Sequence, residues 1–149
     1  MQITGSVVVV LREKNSGICS IGSTATVYEA INVMAGRNIG ALPVLDGGRL
    51  VGMISERDYT RNVVLKGRSS KDTTVGEIMT RNPIVVSPDD SVGDCMEIMT
   101  NDRVRHLPVV EDGELVGILS IGDLVKWIMS AQTATIDQLT KYVFGEPVA

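Results

Sequence analysis

Apolar positions along this chain change their spacing in a fixed order, and the order occurs twice. A short β-rich run, Ile18-Cys19-Ser20-Ile21, is followed by apolar residues at helical intervals, Val27, Ala30, Ile31 and Met34. Two more apolar runs, 41–45 and 50–55, enclose Asp46-Gly47-Gly48. Downstream the grammar returns as Ile84-Val85-Val86, then Val92, Cys95, Met96 and Met99 at helical spacing, then runs 106–110 and 115–120 around Glu111-Asp112-Gly113. Glycine supplies the positive φ of a tight connection, so each pair of runs predicts a hairpin. Thr26-x-x-Glu29 and Ser91-x-x-Asp94 are helix-start signals ahead of the helical stretches, and a second helix is predicted from Ser55 and from Ser120. The predicted order is β-α-β-β-α, twice.

The two copies share one register. A shift of 65 positions lays Leu42-Pro43-Val44 on Leu107-Pro108-Val109, Gly48 on Gly113, and Leu50-Val51-Gly52 on Leu115-Val116-Gly117. Val27, Met34, Ser55 and Asp58 fall on Val92, Met99, Ser120 and Asp123. A repeat that occurs twice predicts a paired module and not a solenoid.

The flanks add helices. Thr74-x-x-Glu77 opens a short helix over 75–79, which Arg81-Asn82-Pro83 ends. Residues 67–73 are polar and form the linker. Ile136, Leu139 and Val143 share one face of a C-terminal helix, with Gly145 and Pro147 as stops. Residues 7–10 have strand propensity, whereas analogy with the segment ahead of the second copy favours a helix. The chain divides into a first repeat with its N-terminal segment (1–66), a linker and short helix (67–80), a second repeat (81–131), and a C-terminal helix and tail (132–149).

Composition narrows the class. With 149 residues, 44% hydrophobic and 21% charged, the chain can bury a core without disulfide staples and is not disordered. Aromatics are 3%, so that core is aliphatic. Fourteen basic against eighteen acidic residues give a net charge of −4, a poor balance for bulk nucleic-acid binding. Cys19 and Cys95 have no metal or redox spacing; two reduced core thiols are favoured over a disulfide. The run at 7–11 is too short for a membrane span and lacks the flanks of a signal peptide, so a soluble cytoplasmic protein is expected.

One β-α-β-β-α copy would expose a face of its small sheet. Two copies packed sheet to sheet bury it, with approximate two-fold symmetry and two equivalent clefts. Each cleft is bounded by the hairpin of one repeat and the start of that repeat's second helix, whose N–H groups attract phosphate. Those starts read Ser55-Glu56-Arg57-Asp58 and Ser120-Ile121-Gly122-Asp123. As a capping box, S-x-x-D stabilises a helix start by about 1 kcal/mol. As a ligand site, its Asp offers two acceptor oxygens to a vicinal ribose diol and its Ser a hydroxyl to phosphate. Both copies follow a strand ending in a Gly-h-h run, Gly52-Met53-Ile54 and Gly117-Ile118-Leu119, and this context favours the ligand role.

The duplicated Leu-Pro-Val strand, Gly-x-Leu-Val-Gly hairpin and G-h-h-S-x-x-D helix start resemble a pair of CBS domains, a Bateman module, over about residues 17–130. The resemblance implies an α/β (α+β) fold of two tandem β-α-β-β-α repeats with pseudo-two-fold symmetry and extra terminal helices, similar to stand-alone two-repeat proteins. It implies binding of adenosine-containing ligands: AMP, ADP, ATP, or else NAD(H) or S-adenosylmethionine. It assigns the ribose to Asp58 and Asp123 and the phosphate neighbourhood to Ser55 and Ser120. Around the adenine it places Gly17, Ile18, Gly40 and Ala41 in one site, and Thr80, Pro83, Ile84, Arg105 and His106 in the other. It also implies a homodimer of pairs, joined through exposed apolar helix faces.

The copies differ. Asn38-Ile39-Gly40-Ala41 leaves room for a flat ring, whereas Arg103-Val104-Arg105-His106 offers guanidinium donors to phosphate, with Arg81 and Lys126 in support. The second repeat is therefore the better mononucleotide site, unless Arg103 and Arg105 are solvated surface charges and His106 an ordinary polar residue. Gly122 permits close backbone approach. Arg57 either reaches a phosphate or pairs with an acid on its helix, and Glu56 opposes an anion unless Arg57 neutralises it. No Walker A, G-x-G-x-x-G or H-E-x-x-H pattern is present. A regulatory sensor without catalysis accounts for the chain best. A structural or protein-interaction module with degenerate sites is the alternative, and a thiol enzyme using Cys19 or Cys95 a distant third.

Overall fold

The computed structural model describes residues 4–14 and 17–144; Gly145 and Pro147, the anticipated stops of the last helix, lie outside the described residues. In chain order the elements are α1 (Val7–Lys14), α2 (Val27–Arg37), β1 (Ala41–Asp46), β2 (Arg49–Ser55), α3 (Glu56–Tyr59), which continues as a π-helical turn over Thr60–Val64, α4 (Val75–Ile78), β3 (Thr80–Arg81), α5 (Val92–Asn101), β4 (His106–Glu111), β5 (Glu114–Ser120) and α6 (Ile121–Val143). The result is a mixed α/β fold with two small sheets, ordered β1-β2-β3 and β4-β5.

Local chemistry builds the repeated elements. The side chains of Thr26 and Ser91 accept the N–H of Glu29 and Asp94, starting α2 and α5. Each hairpin closes on a two-residue turn with both φ values positive: 55° and 78° at Gly47 and Gly48, 51° and 80° at Asp112 and Gly113. Both hairpins carry an irregularity at the same place, between Val44 and Leu45 and between Val109 and Val110. The two sheets meet through β2 and β5.

The opening strands and the C-terminal helix differ from their sequence pattern. The opening strand of each repeat is a single parallel bridge, Ile21 with Val44 and Val86 with Val109. Ile18, Ile84 and Val85 are 42%, 42% and 47% exposed and form no strand pair among the described residues, so too little of either run is covered to extend the ladder. The C-terminal helix is not a separate piece beginning at 132, because α6 continues unbroken from Ile121 through Val143. Nothing between those residues breaks a helix: no proline occurs, and Ala131, Gln132 and Ala134 are good helix formers. Residues 7–10 are helical, resolving the conflict between propensity and analogy.

Packing crosses the repeats. Val27, Ala30, Met34, Leu42, Val44, Ile54 and Val63 form one core, and Val92, Cys95, Met99, Leu107, Val109, Leu119 and Leu124 the other. Val7 and Val10 of α1, adjacent to the first repeat in sequence, are buried in the second core; Val75 and Ile78 of α4 are buried in the first. Matching backbone bonds hold the exchange. Val75 N–H donates to Ala25 O at 2.8 Å and Val27 N–H to Thr73 O at 2.8 Å; Val92 N–H donates to Gly5 O at 3.0 Å and Val7 N–H to Asp90 O at 2.9 Å. Where each crossing helix passes over a strand, the strand has glycine. A β-carbon at Gly52 would stand 2.7 Å from Met79 Sδ, and one at Gly117 would stand 2.8 Å from Leu11 Cδ2.

Candidate functional site

Both S-x-x-D helix starts are built alike. The chain enters α3 and α6 straight from β2 and β5, and the first helical N–H donates back to the residue ahead of the hairpin: Glu56 N to Gly40 O at 3.0 Å, Ile121 N to Arg105 O at 2.8 Å. Gly40 thus lies beside Ser55 and Asp58, and Arg105 beside Ser120 and Asp123. Each Asp closes a capping box through one oxygen. Asp58 Oδ2 accepts the Ser55 N–H at 2.9 Å, and Asp123 Oδ2 accepts the Ser120 N–H at 2.8 Å. Neither Oδ1 accepts a hydrogen bond among the described residues.

The two carboxylates sit in opposite electrostatic settings. Burial dominates at Asp58 and holds its carboxyl above the usual range, although Ser55, Arg57 and Arg61 pull the other way. At Asp123 burial also opposes ionisation, but Lys14 and Ser120 outweigh it and hold the carboxyl below the usual range. Lys14 Nζ donates to Asp123 Oδ2 at 2.9 Å and to the Ile118 carbonyl at 2.9 Å. No sequence motif marked Lys14. It ends α1, and its reach into the second repeat is visible only once α1 crosses to that repeat's core.

Other candidates fall around these two centres. His106 is partly buried, and a β-carbon at Gly40 would stand 3.6 Å from its Cε1 and 3.6 Å from Glu56 Oε1, so the clefts adjoin across the repeat boundary. Burial, then Lys14 and also Arg105, hold the His106 imidazole below its usual range against the pull of Asp123. Ala41 is buried, whereas Gly17, Ile18 and Ile84 are exposed and Pro83 is half-buried. Thr80 belongs to the first repeat's sheet, where it pairs with Met53. Arg57 makes no pair with an acid on its own helix; its Nη1 donates to the Arg103 carbonyl at 3.3 Å and ties α3 to the second repeat. Arg81 donates to Gly76 O at 3.2 Å, and Lys126 lies on an open groove along α6 with Gly122, Val125 and Met129.

The cysteines are free and belong to different cores. Burial, with Asp90 and Asp94 nearby, pushes the Cys95 thiol up to about 11, far from a reactive thiolate. Among the described residues no three His, Cys, Asp or Glu side chains cluster to hold a metal, and no helix is long and apolar enough to cross a membrane.

Two like-built helix starts on a crossed pair of repeats define a tandem module. The chain matches the CBS domain family twice, over residues 7–65 and 75–130, and it belongs to that family. It is 42% identical to the CBS domain-containing protein CBSX3, mitochondrial, of Arabidopsis thaliana, over 80% of this chain and 61% of that protein, so it spans less than two thirds of that relative's length. A putative signal-transduction protein with CBS domains from Burkholderia ambifaria MC40-6 is 45% identical, with a TM-score of 0.82 over 86% of this chain and 96% of that one. Two more distant solved structures hold ligands. The CBS domain protein PAE2072 from Pyrobaculum aerophilum is complexed with AMP (31% identity, TM-score 0.72, 80% of this chain and 89% of that one). The CBS domain pair of protein MJ0100 is in complex with 5′-methylthioadenosine and S-adenosyl-L-methionine (27% identity, TM-score 0.76, 86% and 98%).

Proposed function

We propose that this chain is a regulatory, non-catalytic module that binds an adenosine-containing ligand at the Asp58 and Asp123 helix starts. AMP, ADP and ATP are the leading ligands, with NAD(H) and S-adenosylmethionine next. One observation carries the proposal: at both equivalent positions one carboxylate oxygen is held by the capping box, while the other accepts no hydrogen bond among the described residues. The same S-x-x-D tetrapeptide therefore holds the helix start and presents an oriented acceptor, so the structural and the binding roles coexist. The AMP complex of PAE2072 and the nucleoside complexes of MJ0100 support the ligand class. Exposed Ile18 and Ile84 supply apolar surface for a purine, and Ser55, Ser120, Arg105 and His106 supply polar contacts near the phosphate.

Ligand bound between the repeats shifts their orientation or their assembly to the degree that it prefers one arrangement over another. The apolar positions left uncovered on α6 suit assembly as a homodimer of pairs. Isothermal titration of protein freed of co-purified ligand, with AMP, ATP and NADH, tests the binding. Micromolar affinity for at least one of them is expected, weakened more by Asp123→Ala than by Asp58→Ala. No heat with any of the three, and no rise of melting temperature in their presence, would leave a structural module whose S-x-x-D boxes only cap helices.

A further inference from the structure

We propose that Lys14 makes the Asp123 cleft select a phosphorylated nucleoside over an uncharged one. The inference rests on the adenosine-binding function proposed above and goes on to assign the residue that reads the ligand's charge. Lys14 comes from α1, the helix that crosses from the first repeat, and its ammonium is moored at two points, the Ile118 carbonyl and Asp123 Oδ2, both at 2.9 Å. An ammonium has three donors, and these contacts use two. The side chain is 29% exposed, and among the described residues no acceptor takes the third donor. The mooring does not consume the oxygen that a ribose would use, since Lys14 and Ser120 both bind Oδ2.

A sugar diol on Asp123 Oδ1 therefore leaves the Lys14–Asp123 pair intact. The Lys14 ammonium is then a fixed cation offered to the 5′ substituent, and Arg105, whose carbonyl joins the same helix start, adds to the positive charge acting there on His106. A phosphate there gains a charge-assisted hydrogen bond, while a free 5′-hydroxyl gains almost nothing. In the other cleft the nearby cations are the guanidiniums of Arg57 and Arg61, which act on Asp58. Leu11 over Gly117 and Met79 over Gly52 align the crossing segments, and three residues beyond Met79, where Lys14 follows Leu11, stands Asn82. Arg57 donates through Nη1 to the Arg103 carbonyl, and among the described residues neither guanidinium is moored to the Asp58 carboxylate as Lys14 is to Asp123. The asymmetry predicts stronger discrimination by phosphate in the Asp123 cleft, where the cation is fixed, than in the Asp58 cleft.

Calorimetric titration of the whole chain with AMP and with adenosine, for wild type, Lys14→Met and Lys14→Arg, tests the assignment. Lys14→Met is expected to weaken AMP binding about tenfold while leaving adenosine within about twofold. Lys14→Arg keeps the preference for AMP. Added salt weakens AMP binding to wild type more than to Lys14→Met. Equal loss of both ligands in the Met variant, or no loss of either, overturns the role of Lys14 while adenosine binding itself stands. A wild-type protein that binds neither compound overturns the binding function and the Lys14 assignment with it. The ratio of the two ligands within one variant separates charge recognition from any disturbance of α1.

Discussion

Leu11 lies over Gly117 so closely that a β-carbon there would meet its Cδ2 at 2.8 Å, and Met79 covers Gly52 in the same way. The glycine of each Leu-Val-Gly motif is thus the notch into which a helix from the opposite repeat is pressed. The obstacles differ in kind. At Gly117 the near atoms are all the end of a leucine side chain, whereas at Gly52 the Thr80 carbonyl oxygen also stands 2.8 Å away, held by the pairing of β2 with β3. Gly52→Ala is therefore expected to destabilise by about 2–3 kcal/mol and Gly117→Ala by about 1 kcal/mol. Denaturant midpoints at unchanged slope measure both; equal losses would show that the backbone at Thr80 yields as readily as a rotamer.

Much of this was legible in the sequence because duplication repeats every local signal. The hairpins followed from Asp46-Gly47-Gly48 and Glu111-Asp112-Gly113, and the helix starts from five S/T-x-x-D/E tetrapeptides, three of which close as reciprocal capping boxes, since each depends on residues within one turn of chain. The crossing of α1 and α4 was not legible, because Val7 and Val75 carry the same apolar signal whichever core receives them. For that reason no local pattern marks Lys14, or shows that Thr80 pairs with Met53 of the first repeat. The opening strands are shorter than their pattern suggests: a run such as Ile84-Val85-Val86 has strand propensity, but the ladder extends only as far as a partner covers it.

His106 gives the fold a pH dependence of known sign. Burial, with Lys14 and Arg105 nearby, keeps its imidazole below the ordinary value of 6.5 in the folded chain. The folded protein thus takes up this proton less readily than the unfolded chain. Stability from the neutral ring is complete above 6.5 and is lost as pH falls below it. Between about pH 7.5 and about pH 5 wild type is expected to lose more melting temperature than His106→Gln. Parallel curves would show that the ring does not titrate against the fold.

Asp58 and Asp123 occupy equivalent positions with opposite shifts, so the same substitution acts on them differently. Ionised Asp58 is disfavoured by burial: its contribution to stability is present below 3.8 and lost as pH rises through its raised folded value. Asp123 is the reverse, its contribution present above 3.8 and lost as pH falls through its lowered folded value. An asparagine keeps an oxygen for the capping N–H in either place. At neutral pH Asp58→Asn is expected to be neutral or stabilising, and Asp123→Asn to cost up to about 1 kcal/mol by leaving the Lys14 ammonium against an amide. Chemical denaturation decides; a larger loss from Asp58→Asn would mean that its charge is held by the helix start after all.

The second half of α6 offers a test of assembly that leaves the pocket untouched. Val125, Met129, Ile136, Leu139 and Val143 are 42%, 62%, 61%, 60% and 73% exposed. Their intervals of four, seven, three and four residues keep them on one seam of heptad spacing, flanked at Thr133 and Thr140 by uncharged side chains. Two such seams from two copies would cover one another, which fits the homodimer proposed above. Ile136→Glu with Leu139→Glu places two like charges on each side of that contact while touching neither core. Sedimentation equilibrium is expected to show a dimer for the wild type and a monomer for the double variant, with nearly the same melting transition for the repeats. A double variant that stays dimeric would move the interface to another face, and a wild type that is monomeric at high concentration would remove the dimer altogether.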